Sequence, residues 1–142
     1  NNEDRQRVEC HSGAEIDFIG VMGEAAAAQV LGGYIDSRTR PDHGNDILGL
    51  DYTVDVKTPT KPHYNLVFAD HSPLDADYAV LVLPTIELDS LFDVNELNVY
   101  GYASRSEFEN GAERKNLRGN SWFFHKSKLL QIPHLMIIRF YP

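Results

Sequence analysis

Asp55 and Lys57 stand two apart in Tyr52-Thr53-Val54-Asp55-Val56-Lys57-Thr58, a segment that alternates apolar and polar residues. That is the period of a strand, so Tyr52, Val54 and Val56 leave one face toward a core, while Thr53, Asp55 and Lys57 leave the other. A carboxylate and an ammonium side by side on a half-buried strand are costly unless they pair or bind something. Asp46 opens the preceding segment, where Ile47-Leu48-Gly49 reads as a short strand and Leu50-Asp51 as a turn. If the two strands form a hairpin, the Asp46 carboxylate folds back toward Asp55. Two converging carboxylates make a hard oxygen site suited to Mg²⁺.

Glu24 is the third acid. Its surroundings read as a helix, with apolar residues at Phe18, Val21, Met22, Ala25, Ala28 and Leu31. Val21, Ala28 and Leu31 share its face at helical spacings, which puts Glu24 on the stripe expected to be buried. The small side chains of residues 25–28 let this helix lie close to a sheet and bring Glu24 near Asp55.

The elements that must position these residues follow from the rest of the pattern. Residues 3–31 read as helical with a break near Ser12-Gly13, and Gly32-Gly33 ends the helix. Residues 34–45 are rich in turn formers. Strands are expected at 52–58, 65–69, 78–83, 97–103, 122–125 and 134–140. Ser104-Arg105-Ser106-Glu107 is a capping box that opens a short second helix. Helix, then sheet, then helix gives an α/β or α+β fold with a central mixed sheet, in one domain covering 1–142.

Composition narrows the class. Of the 142 residues, 42% are hydrophobic and 24% charged, which excludes disordered and collagen-like chains. No apolar run approaches the roughly 20 residues of a membrane span, and no secretory segment follows the polar start. The single cysteine, Cys10, forbids an internal disulfide and suits a reducing cytoplasm; Cys10-His11 reads as packing and surface. The formal net charge is −8, but residues 1–101 carry −12 and residues 102–142 carry +4. An acidic front and a basic back leave room for a phosphate-facing surface. Arg38 and Arg40 before the strand, and Lys61 and His63 after it, are candidate phosphate contacts, with ordinary loop charge as the alternative. Trp122-Phe123-Phe124 fits strand core better than base stacking, and Lys126 and Lys128 after it extend the basic surface or are simply solvated.

Together, Gly23-Glu24 in a helix, Gly44-Asn45-Asp46 and Val54-Asp55-Val56-Lys57-Thr58 resemble the PD-(D/E)xK nuclease superfamily. The resemblance is to small phage and microbial members whose hairpin reads G-x-D…(I/V)-D-V-K-T, and it covers residues 24–57. It implies a restriction-endonuclease-like core and metal-dependent hydrolysis of phosphodiesters in a cytoplasmic, microbial or phage setting. By position, Asp46, Asp55 and the Val56 carbonyl would ligate Mg²⁺, with Mn²⁺ as a substitute. Lys57 would orient or help deprotonate the attacking water, and Glu24 would bind a second metal or hold a metal-bound water. The literal Pro-Asp is Pro41-Asp42, so Asp42 is the alternative ligand to Asp46, and Asp51 is a weaker one. DNA is the expected substrate, with RNA open, and a homodimer fits a domain of this size. The rival reading keeps the fold without cleavage, as a module binding nucleic acid or a protein partner.

Overall fold

The structure, a computed structural model, describes residues 11–35, 45–117 and 119–140. Helix α1 spans Gly13–Leu31. Strands β1 (Val54–Lys57), β2 (Leu66–Ala69) and β3 (Tyr78–Pro84) follow. A 3₁₀ turn at Leu91–Asp93 leads to β4 (Glu96–Ser104) and helix α2 (Arg105–Gly111). Strands β5 (Glu113–Asn116) and β6 (Asn120–Phe124), a 3₁₀ turn at Lys126–Lys128 and β7 (Leu130–Arg139) complete the chain. The fold is α+β. Among the described residues, no helix is long and apolar enough to cross a membrane.

The strands form two sheets rather than the expected single one. A four-stranded mixed sheet runs β1-β3-β4-β7, with β1 parallel to β3 and the other pairs antiparallel. A three-stranded antiparallel sheet runs β2-β6-β5. β3 explains why both are needed. Val80 and Val82 point into a core with Ile19 and Ala26 of α1, whereas Ala79, Leu81 and Leu83 point into a second core with Leu66, Phe68, Phe108 and Phe124. A strand buried on both faces reads as an unbroken apolar run, as Tyr78–Pro84 does. Strand β5 was not expected from sequence, because all four of its residues are exposed and leave no apolar alternation to detect.

Helix α1 begins with a capping box. Ser12 Oγ accepts the Glu15 N–H, and Glu15 accepts the Ser12 N–H. Glu15 also accepts the Leu91 N–H at 2.9 Å, which fastens the helix start to the first 3₁₀ turn. These bonds hold its carboxyl down to about 2. The helix ends at Gly32, whose φ of 84° is left-handed and favours glycine. The buried residues of the helix are Ile19, Gly23, Ala26, Ala27 and Ala28. Val21 is 52% exposed. Of the stripe expected from Val21, Ala28 and Leu31, Ala28 is buried and Leu31 packs against the core while Val21 is exposed, and Glu24 sits half-buried at its margin. The small side chains do bring the helix close: a Cβ at Gly23 would run into the Thr58 side chain.

At the other end of β1 the chain is clasped to the start of β3. The Thr53 N–H donates to Asp77 Oδ2 and the Asp77 N–H donates to Thr53 Oγ1, both at 2.9 Å.

Candidate functional site

Strand β1 is an edge strand, and its side away from β3 is closed by the segment carrying Asn45 and Asp46. Residues 47–49 do not form the expected strand; the segment makes one antiparallel bridge, between Leu48 and Tyr34, and Asp46 lies in a bend. The reason is that side chains replace backbone in the pairing. Asn45 Oδ1 accepts the Val54 N–H at 3.1 Å and Asp46 Oδ2 accepts the Val56 N–H at 2.8 Å. The Asp46 N–H donates to the Val54 carbonyl at 2.7 Å, and Ile47 is fully buried beneath. Asp46 is thus fixed beside β1 by backbone and side chain at once. On an edge strand, residues that point N–H outward also point C=O outward, so the Val56 carbonyl faces the same side.

Val54 and Val56 are buried toward α1, and Asp55 and Lys57 leave the opposite face, as the alternation predicts. Lys57 Nζ lies 3.4 Å from Asp55 Oδ1 and 4.8 Å from the centre of the Phe68 ring on β2. The Asp55 side chain is 14% exposed and that of Lys57 38%. Burial pushes the Asp55 carboxyl up to about 6. The Lys57 ammonium opposes that shift, while the Asp46 carboxylate, in hydrogen-bonding contact with Asp55, adds to it. Two carboxyl groups are therefore held together against their mutual repulsion, with a cation at one side.

Glu24 follows directly on the contact between Gly23 and Thr58, at the end of β1 beyond Lys57. Thr58 Oγ1 is buried there without a hydrogen-bond partner. Among the described residues, no set of three or more His, Cys, Asp or Glu side chains converges closely enough to hold a metal ion. Glu24 does not join Asp46 and Asp55 in such a set. The donors gathered at β1 are two carboxylates and a backbone carbonyl, all hard oxygens of the kind Mg²⁺ and Mn²⁺ take.

Lys61 is half-buried and His63 exposed in the loop between β1 and β2, where the His63 ring meets Tyr64 edge-on at 4.9 Å. Asp51 is exposed in its turn. Arg38, Arg40, Asp42 and Cys10 lie outside the described residues. Two contributors to the site were missed in the sequence. Asn45 was legible as a polar cap directly beside Asp46. Phe68 carried no signal, because only the packing of one sheet on the other brings it to Lys57.

No protein-family model and no curated protein matches the chain.

Proposed function

We propose that this protein is a metal-dependent nuclease that hydrolyses phosphodiester bonds, with DNA as its substrate, on a restriction-endonuclease-like core. The observation that carries the reading is the Asp46–Asp55 pair at the edge of β1, with Lys57 3.4 Å from Asp55. Asp46, Asp55 and the Val56 carbonyl are the residues that would hold Mg²⁺. When bound, the ion would lower the pKa of a coordinated water and neutralise charge gathering on the phosphate. Lys57 orients the attacking water and stabilises the negative charge that grows on phosphorus-bound oxygen. Water attacks phosphorus, the P–O bond to the leaving sugar oxygen breaks, and that oxygen takes a proton. Glu24, at the neighbouring turn of α1, is the residue that would hold a further water or a second ion.

A second reading keeps the fold and drops cleavage, leaving a module that binds nucleic acid or a protein. The position of Glu24 outside the acid pair favours it. Incubation with supercoiled plasmid and labelled oligonucleotides in EDTA, Mg²⁺ and Mn²⁺ separates the two. Nicking that requires metal and is lost in Asp55→Asn supports the nuclease; nicking retained by Asp55→Asn, or absent from the wild type, refutes it.

A further inference from the structure

The basic back of the chain has a definite place. The 3₁₀ turn Lys126–Lys128 runs along one end of the three-stranded sheet, where β6 terminates and β2 and β5 begin. At the β2 side, the Lys126 N–H donates to Asn65 Oδ1 at 2.9 Å and Lys126 Nζ donates to the Pro62 carbonyl at 3.2 Å. At the β5 side, Lys128 Nζ donates to the Gly111 carbonyl at 3.0 Å. Both ammoniums also sit near aromatic rings, Lys126 5.5 Å from the centre of Tyr100 and Lys128 5.8 Å from that of Phe124. On the opposite face of this sheet, which Glu113 shares, Lys115 Nζ stands 4.0 Å over Phe123.

Among the described residues, Lys126 and Lys128 are ordered by carbonyls and ring faces, not by carboxylates. Arg114 on β5 is different: Asp70 binds it at 2.7 Å and offsets its charge. Glu113 is the exposed acid on the same strand. A lysine positioned without an acid partner keeps its full charge and has already lost much of its side-chain freedom, which lowers the ordering cost of binding an anion. In a protein of net charge −8, two cations held at one sheet end without an acid partner among the described residues suit an anionic ligand.

The row also leads toward the acid pair. Lys126 is bonded to the loop that leaves Lys57 and carries Lys61 and His63, and Lys57 itself lies over Phe68 of β2. From β2 to β5 is two strand separations, about 10 Å. Resting on the nuclease reading, we infer that Lys126 and Lys128 form a contact site for the phosphate backbone of a nucleic-acid strand whose continuation reaches the Asp46–Asp55 edge.

The test is fluorescence anisotropy of a labelled DNA duplex in EDTA across a series of salt concentrations, so that no cleavage is needed. Lys126→Gln/Lys128→Gln should weaken binding at least tenfold at low salt and lower the slope of log Kd against log salt by about 2. Lys126→Arg/Lys128→Arg, which keeps the charge, should bind like the wild type, and so should Arg105→Gln at the far end of β4. Melting curves matching the wild type confirm that the variants fold. Unchanged affinity and slope in the Gln variants, or a wild type with no salt-dependent binding, overturns the inference. Wild-type protein that binds through these lysines but never cleaves keeps the contact site and removes the nuclease. Cleavage that the Gln variants perform at the wild-type rate and affinity removes only the contact site.

Discussion

The Asp46 carboxylate accepts the Val56 N–H at 2.8 Å while touching the Asp55 carboxyl, so one side chain both closes the free edge of β1 and raises its neighbour's proton affinity. The local strand pairing and the electrostatics of the acid pair are therefore one arrangement. Changing either acid should change both the fold's stability and its response to pH.

The first consequence is a pH dependence in metal-free protein. Asp55 has its carboxyl raised from 3.8 to about 6, so the folded state binds this proton more tightly than the unfolded chain does. Its contribution is fully present below about pH 4 and is lost as pH rises through about 6. Denaturant unfolding in EDTA should show stability falling across that window. Asp55→Asn should flatten the fall and be more stable than the wild type at pH 7 by roughly 2 kcal/mol. Equal wild-type and variant stabilities at pH 7 would contradict the coupling.

Divalent cations should reverse that order. If Asp46 and Asp55 hold Mg²⁺ or Mn²⁺, the ion binds only the folded state and stabilises it by about 2.7 kcal/mol at a hundredfold excess over Kd. Thermal unfolding should then rise with metal in the wild type and stay flat in Asp46→Asn and Asp55→Asn. Asn is the informative replacement at 46, because its side-chain oxygen can still accept the Val56 N–H. Identical shifts in all three proteins would place any bound cation elsewhere.

What could be read from the residues alone was whatever depends on near neighbours. The alternation at 52–58 placed Asp55 and Lys57 on one face, and Ser104-Arg105-Ser106-Glu107 marked the start of α2. Ser12-Gly13-Ala14-Glu15 is the same capping signal and was legible too, although only a break was inferred there. The second sheet was not legible. Its pairing joins β2 to β6 across a long stretch of chain, and the exposed β5 lacks a hydrophobic period. Asp46 was correctly set beside β1, but for a reason only partly right, since its side chain and not a strand makes the pairing. Glu24 is half-buried rather than buried because Val21, read as buried, is exposed, while Ala28 and Leu31 do face the core; a run of alanines gives a helix no strong apolar side on which to fix its orientation.

Glu15 gives a prediction of the opposite pH sign. Its carboxyl is held near 2 by the Ser12 and Leu91 N–H groups, so its contribution is present above its ordinary value of 4.5 and is lost as pH falls toward 2. Glu15→Gln should lower the melting temperature at pH 7 and remove part of the wild-type loss on acidification. Hydrogen exchange should quicken at Leu91 as well as at Ser12, since one carboxylate accepts both. Faster exchange at Ser12 alone would leave the bond to the 3₁₀ turn without energetic weight.

Gly23→Ala tests how closely α1 must approach the site. Alanine is the better helix former by about 1 kcal/mol, so on an open helix face this change would stabilise. Here the new methyl would meet Thr58 Oγ1, Cβ and Cγ2, and the helix or the end of β1 must move. Overpacking of this kind costs about 1–3 kcal/mol, and the expected sum is a net loss of stability. Thr58→Ala in the same chain removes two of the three clashing atoms and should recover part of that loss, which a double-mutant cycle by urea unfolding measures. Because Lys57 and Glu24 lie directly next to the two residues that collide, any metal-dependent cleavage should fall in Gly23→Ala even at temperatures where the protein stays folded. A Gly23→Ala protein more stable than the wild type would mean that α1 stands farther from β1 than the contact with Thr58 requires.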